Sequence, residues 1–461
     1  MSATNEAHIT SSLTTRVASL AWPIVVGQLA VIMNGVIDTM MTARYSAIDL
    51  AALGLGASVY VSIFVGLSGV MQALSPTIGQ LYGAKKYDAI GHEVRQGVWL
   101  AIFLSMFGST LLLFPDPLLN IAQAPPALDN KVREYLALLS LALPATLGFR
   151  VFASLNTAVS RPRIVMTLQV GTLVLLKLPL NALLIFGGLG IPALGTPGAA
   201  IATCIAAWIA LMVGWWLAAR GESYRIFQVQ GHGFERPAWR TQLALLKLGL
   251  PMGMSYLIEV TSFTFMALFI ARLGSETLAA HQIAGNFGTV LYMLPLSIAS
   301  ATGILVAQEI GAGKLLAARH AGDAGIRLSV MVSVSIGLIV FCSRAYIVAL
   351  YTPDPQIAAI ALSLFLFIAF YQFFDAMQVG AAFVLRAYKV ATIPTLMYAI
   401  GLWGIGLGGG YWMGFNLPGN IPSSLHGAAG FWLGNSVSLA LVAAALYWYM
   451  RHVQGLREAE G

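Results

Sequence analysis

Charge is scarce in this sequence. Of 461 residues only 9% are Asp, Glu, Lys or Arg, while 58% are hydrophobic; an ordinary soluble domain is roughly 25% charged. A soluble chain of this length needs charge to cover its surface, so much of this surface must face lipid. Cysteine is almost missing: Cys204 and Cys342 both fall in apolar stretches, which excludes a disulfide framework, and two thiols alone do not make a metal site. Absent too are the short segments of alternating hydrophobicity that a transmembrane β-barrel requires. No phosphate-binding loop occurs in a strand–turn–helix context; the glycine run Gly404-Ile-Gly-Leu-Gly408-Gly-Gly410 lies inside an apolar stretch, so ATP is not the energy source. No small-residue cleavage site comes after the first apolar run, and the N-terminus reads as retained.

What the chain has instead is long apolar runs. Each could cross a ~30 Å hydrocarbon core as a helix, and they fall at roughly 16–40, 51–75, 91–114, 133–157, 164–187, 196–219, 243–271, 279–305, 319–342, 357–385, 391–414 and 426–450. The expected fold is an all-α integral membrane protein of twelve transmembrane helices. The formal net charge of +7 invites a nucleic-acid reading, but its placement argues otherwise. With the N-terminus inside, most Lys and Arg fall in cytoplasmic segments (Lys85, Lys86, Arg161, Arg163, Arg225, Arg236, Arg240, Lys314, Arg386, Lys389, Arg451). The outer loops hold only Arg44, Lys131, Arg133, Arg272 and Arg344. This is the positive-inside bias, and it puts both termini in the cytoplasm.

The two halves resemble each other at an offset of about 228 residues. Pro23 matches Pro251, Ala43-Arg44 matches Ala271-Arg272, and Gln80-Leu-Tyr-Gly83-Ala84-Lys-Lys86 matches Gln308-Glu-Ile-Gly311-Ala312-Gly-Lys314. Gly198-Ala199-Ala200 echoes Gly427-Ala428-Ala429. Six spans per half is an even number, so the repeat is parallel, as in duplicated secondary transporters. The expected organisation is an N-terminal six-helix lobe (1–220), a cytoplasmic linker (221–242) and a C-terminal six-helix lobe (243–461). The polar linker, with Gly231-His-Gly233 and Pro237, reads as a hinge.

Nearly all of the 18 acidic residues lie in loops or at span ends. Asp38 in span 1, Glu259 in span 7 and Asp375 in span 10 do not. A charge near the bilayer centre costs about 2.5–3.5 kcal/mol even on the lenient insertion scale, so each must meet water, a cation, a proton or a base. A satisfied carboxyl that only fixes helix packing is the plain alternative. Tyr371 and Asp375 are four apart and share a helix face, a pairing that suits either a Na⁺ site or a protonatable one. Ser and Thr near Glu259 could add oxygens, although in membrane helices such hydroxyls usually bond back to the backbone. Lys177 lies about fourteen residues, or ~21 Å of helix, from Arg163; this is too deep to snorkel, and Asp38 is its expected partner.

Taken together, several segments are specific. The sequence resembles the multidrug and toxic compound extrusion (MATE) family over nearly its whole length, in particular the bacterial NorM-type branch. The likeness is carried by Gly35-Val-Ile-Asp38-Thr, Glu259-Val-Thr261, Tyr371-Gln-Phe-Phe-Asp375 and Ala280-His281-Gln282-Ile283-Ala-Gly-Asn286-Phe287. Leu294-Pro295-Leu296-Ser297 and Leu385-Arg386-Ala-Tyr388-Lys389 add to it. The resemblance implies a V-shaped pair of six-helix lobes exporting amphiphilic cationic drugs or dyes against inward Na⁺ or H⁺. It implies a cation site at Glu259, Asp375 and Tyr371, with Na⁺ as the metal if coupling is to sodium, and a second functional site at Asp38. Candidate substrate residues are Asp38, Gln282, Asn286, Phe287, Tyr292 and Met377, with Phe263, Phe265 and Met293 as further apolar wall. For such aromatic and Met residues lipid contact and core packing are the commoner roles.

The sequence also departs from the family. Where span 5 typically carries an Asn one turn before the residue matching Asn181, it has Lys177; where span 4 often has an acid, it reads Asn156-Thr157-Ala158. The resulting hypothesis makes the Lys177 ammonium a stand-in for a bound cation beside Asp38, leaving coupling to the C-terminal lobe. No cofactor, no nucleic acid, no ATP and a monomer in a bacterial inner membrane are expected. A lipid-linked-oligosaccharide flippase of related architecture is the main rival; it should show several cavity arginines, and Arg150 alone fits. A passive channel gives no reason for the duplication. An intramembrane serine protease rests on Gly66-Leu67-Ser68-Gly69 with His281 as base, a cheap match among 47 glycines. His281 is either a proton carrier or a packing residue.

Overall fold

The computed structural model describes every residue except 1–2, 117–118, 120–124, 230, 232–234, 418 and 461, and gives backbone alone for 3–11, 127, 424 and 460. His232 and Gly233 of the linker therefore lie outside the described residues. Among the described residues twelve helices are long and apolar enough to cross a membrane. In chain order they are α1 (Ala3–Tyr45), α2 (Ala47–Gly83), α3 (Tyr87–Leu113), α4 (Pro126–Ala158), α5 (Pro162–Phe186) and α6 (Thr196–Arg220). The second six are α7 (Trp239–Ala271), α8 (Ser275–Gly311), α9 (Leu315–Tyr351), α10 (Pro355–Ala387), α11 (Thr392–Gly414) and α12 (Ala428–Glu460). Helix is the one open-chain solution in lipid, because every backbone N–H and C=O must be satisfied within the segment. Most helices overrun the hydropathy windows, since a helix continues past the last apolar residue wherever polar residues are good helix formers.

The repeat is visible in how helices end. α2 closes with the Lys86 N–H on the Leu81 carbonyl at 3.0 Å and the Lys85 N–H on Tyr82 at 3.1 Å; α8 closes with Lys314 on Glu309 at 2.9 Å and Gly313 on Ile310 at 3.0 Å. The same pair of bonds closes α4 at Ser160 and Arg161, and α10 at Lys389 and Val390. These are Schellman turns, which need one residue in the left-handed region. Lys85, Ser160 and Lys389 adopt φ of 57°, 62° and 59° at a cost of about 1 kcal/mol each; Gly313, at φ 73°, does so freely. Both α5 and α11 carry a π-helical stretch at matching places, Thr172–Lys177 and Ala399–Gly408. Pro23 and Pro251 lie inside α1 and α7, again at matching places.

The chain packs as two compact units, Val26–Gly253 and Met1–Val25 with Met254–Gly461. These boundaries fall within α1 and α7, again at equivalent positions, whereas the sequence reading divided the chain at its polar linker. In the second unit Leu13, Val17 and Ala21 of α1 are core residues alongside Ile258, Leu305, Val384 and Leu446. There α12 approaches α11 through glycines: a Cβ on Gly434 would lie 2.6 Å from the Gly410 nitrogen. That contact explains the glycine run as small-residue helix packing.

In the first unit the linker is fastened rather than free. Phe227 is fully buried and packs on Tyr82 and Tyr87, with ring centroids 6.2 and 5.9 Å away. Tyr224 donates to Asn156 at 2.5 Å. Glu235 takes the Arg95 Nε at 2.5 Å and also pairs with His92. The Gln96 amide bonds Arg236 O at 3.1 Å and accepts the Ala238 N–H at 2.8 Å. The aromatic side chains and carboxylate of these described linker residues find partners on α2, α3 and α4.

Candidate functional site

Within Val26–Gly253, α1 carries Asp38, nine-tenths buried. Its Oδ1 lies 2.7 Å from the Lys177 ammonium and accepts the Asn181 amide at 2.6 Å. Lys177 and Asn181 are four apart on α5 and reach Asp38 from one face. The ammonium also donates to Thr203 Oγ1 at 2.5 Å and to the Ala199 carbonyl at 3.2 Å, both on α6. Thr203 was not among the sequence candidates; its place four residues after Ala199 on a small-residue helix gives no polar signal.

Within the other unit, α7 brings Glu259 and α10 brings Asp375 to one amide. Gln378 Nε2 donates to Asp375 Oδ1 at 3.1 Å and to Glu259 Oε1 at 3.5 Å. Tyr292 of α8 donates to Glu259 Oε2 at 3.5 Å, and Tyr398 of α11 donates to Gln378 Oε1. Asp375 is almost wholly buried, and its Oδ2 has no hydrogen-bond partner among the described residues. Neither acid makes an ion pair among those residues, in contrast to Asp38. Tyr371 is half-buried against the apolar core and lies in electrostatic range of both acids. Arg386, lower on α10, bonds Tyr256 OH at 3.0 Å and stacks over Tyr256 and Phe383, 4.9 and 4.7 Å from their centroids. Gln378 was missed although it sits three residues after Asp375 on the same helix face; Tyr398 and Arg386 became partners only through packing.

This group offers carboxylate, amide and phenol oxygens on four helices. Such donors suit a hard monovalent cation or a proton. No cluster of three or more His, Cys, Asp and Glu exists among the described residues, so the donor set is not that of a transition metal.

The other candidates divide. Gln282 and Asn286 are exposed along one face of α8, whereas Phe287 packs on Phe365 with centroids 5.3 Å apart. Met377 packs against the apolar core. His281 is buried and accepts the Trp432 indole N–H at Nδ1, 3.2 Å away. Indole only donates, so this ring is neutral with its proton on Nε2, and the packing role describes it. The Arg150 guanidinium lies over the Phe64 ring at 5.8 Å.

The MatE family pattern matches residues 23–183 and 251–412, one match in each half. The chain belongs to the MatE family. The MatE relatives include the "Probable multidrug resistance protein NorM" of Aromatoleum aromaticum, 41% identical over 433 residues, covering 94% of this chain and 93% of that protein. The "Multidrug resistance protein MdtK" of Yersinia pseudotuberculosis is 32% identical over 438 residues, 95% and 94% of the two chains. Among MatE folds already solved, the eukaryotic MATE transporter AtDTX14 superposes with a TM-score of 0.85 at 19% identity, covering 97% of this chain and all (100%) of that one. The Vibrio cholerae MATE transporter VcmN in its bent form gives 0.85 at 18% identity, over 98% and 99%. At such identity the match speaks for the fold: all-helical, with twelve membrane-crossing helices.

Proposed function

We propose that this chain is a secondary multidrug efflux transporter. It exports amphiphilic cations in exchange for Na⁺ or H⁺, with Glu259 and Asp375 as the coupling carboxylates and Tyr371 beside them. The observation that carries the coupling role is the arrangement of these two acids. They are bridged by one neutral amide, make no ion pair among the described residues although Arg386 lies within electrostatic range of Glu259, and leave a buried Asp375 oxygen without a hydrogen-bond partner among those residues. A buried carboxylate with an unpartnered oxygen, as at Asp375, is stabilised by taking up a cation or a proton. The names of the relatives, multidrug resistance proteins of bacteria, support drugs as cargo.

The substrate path runs along the face of α8 that exposes Gln282 and Asn286. Primary amides turned toward hydrocarbon would leave donors unsatisfied, so this face borders water. Tyr292 and the nearby acids supply π and negative charge to a cationic guest. Asp38, whose charge is already matched, is a second functional residue for the same cargo. The protein works as a monomer in the bacterial inner membrane; its Lys and Arg distribution supports placing both termini in the cytoplasm.

The deciding experiment is efflux of ethidium from proteoliposomes under a Na⁺ gradient and, separately, a pH gradient, with wild type and Asp375→Asn side by side. Flux driven by one gradient and lost in the variant supports antiport and names the ion. Gradient-independent wild-type behaviour overturns the reading.

A further inference from the structure

We propose that Lys177 is a tethered cation: its ammonium permanently fills a monovalent-cation shell inside the unit Val26–Gly253, closing that shell to exchangeable ions. Lys177 is 1% exposed, so its ammonium must be satisfied by protein groups rather than by bulk solvent. An ammonium has three N–H donors and no acceptor. The structure supplies three oxygens of three chemical kinds, a carboxylate at 2.7 Å, a hydroxyl at 2.5 Å and a backbone carbonyl at 3.2 Å. That is the ligand chemistry of a hard cation rather than of a surface ion pair.

A second observation marks the place as a cation shell with room for another ligand. Asn181 is fully buried, and while its Nδ2 holds Asp38 its Oδ1 has no hydrogen-bond partner among the described residues. An amide turned over would give a small cation a fourth oxygen. The backbone aims the lysine: Lys177 is the last residue of the π-helical stretch, and one extra residue in a turn rotates the rest of the helix by about 100°. At the matching place in the other unit the π-helical stretch carries Gly406, and the counterparts of Asp38 and Thr203 are Met266 and Trp432. Acid, base and hydroxyl therefore occur together in one unit and are all missing from the other.

The inference goes beyond the coupling role of Glu259 and Asp375 and stands or falls separately. Thermal unfolding of the purified protein in NaCl, against choline chloride of equal ionic strength, tests both. If the second unit holds the only open site, Na⁺ raises the midpoint of wild type by about 3 °C, and Asp375→Asn removes that rise. Lys177→Asn in the Asp375→Asn background should then regain a Na⁺-dependent rise of similar size, lost again on adding Asp38→Asn. No regained rise overturns the tethered cation, as does a rise that persists in Asp375→Asn with Lys177 intact and disappears with Asp38→Asn. A wild type indifferent to Na⁺ counts against sodium at the Asp375 site alone, since Lys177→Asn by itself still decides the tethered cation. Should Lys177→Asn fail to fold in choline, recovery of yield in Na⁺, or in the neutral pair Asp38→Asn/Lys177→Met, supports it. Failure of the neutral pair as well would make the lysine a scaffold and overturn it.

Discussion

In Val26–Gly253 a buried carboxylate has an ammonium 2.7 Å away and an amide at 2.6 Å. In the other unit a buried carboxylate, Asp375, and a partly buried one, Glu259, share one amide at 3.1 and 3.5 Å and make no ion pair among the described residues. The helices that bear them descend from one repeat, with matching helix ends and matching π-helical stretches. The chemistry does not match: the counterparts of Glu259 and Asp375 are Val31 and Thr146, and those of Asp38 and Lys177 are Met266 and Gly406. Duplication thus preserved what the backbone must do in lipid and left side-chain charge free to diverge. One unit keeps its charge matched internally. The other, on the proposed function, leaves it open to an ion from outside.

This contrast predicts opposite failures. Asp38→Ala strands a buried ammonium, and Lys177→Ala a buried carboxylate. Either should cost about 3–5 kcal/mol, seen as lost monodisperse yield in detergent and a lower unfolding midpoint. Asp375→Asn should keep yield and midpoint near wild type in choline and lose gradient-driven efflux. If Asp38→Ala and Asp375→Asn fail in the same way, the distinction between a matched and an open site is wrong.

A smaller effect is expected at the bridging amide. Gln378→Leu removes hydrogen bonds from both acids and should raise the half-saturating concentration of the coupling ion by roughly tenfold, the equivalent of about 1.4 kcal/mol. The transport rate under saturating ion should change less. Unchanged half-saturation would assign Gln378 to packing alone.

The smallest effect concerns the docked linker. Partial burial pushes the Glu235 carboxyl up, but Arg95 and His92 together with Gln96 outweigh it and hold the group below its ordinary value. A depressed folded-state value means stability that is present above the unfolded-state carboxylate value, about 4.3, and lost as pH falls through the lower folded one. Glu235→Gln should therefore destabilise the fold at neutral pH by roughly 1 kcal/mol, read as a lower unfolding midpoint, and the difference from wild type should shrink below about pH 4. A pH-independent difference would assign the contact to packing.

Much of this was legible from residue order. Runs of apolar residues longer than the bilayer is thick admit one backbone solution, so the helices and their number came from local pattern. Asp38, Glu259, Asp375 and Lys177 stood out because depth makes an ionisable side chain expensive wherever it points. Gln378 was within reach of the same reasoning through its three-residue spacing from Asp375. Gln80 through Lys86 and its copy at Gln308 through Lys314 announced both the repeat and its turns.

Other features needed the folded chain. Hydropathy says nothing about which residues meet across helices far apart in sequence. The Thr203 and Ala199 oxygens on Lys177, the Tyr398 phenol on Gln378 and the indole on His281 could not be read from their own segments. The polar composition of 221–238 suggested slack, yet Phe227 and Glu235 tie it down, because anchoring takes only a few side chains with partners supplied elsewhere. The unit boundary inside α1 and α7 is decided likewise by which apolar faces find each other, a long-range choice that a local pattern does not encode. Depth in the membrane fixed which side chains had to be explained, and tertiary packing decided which of them were already neutralised.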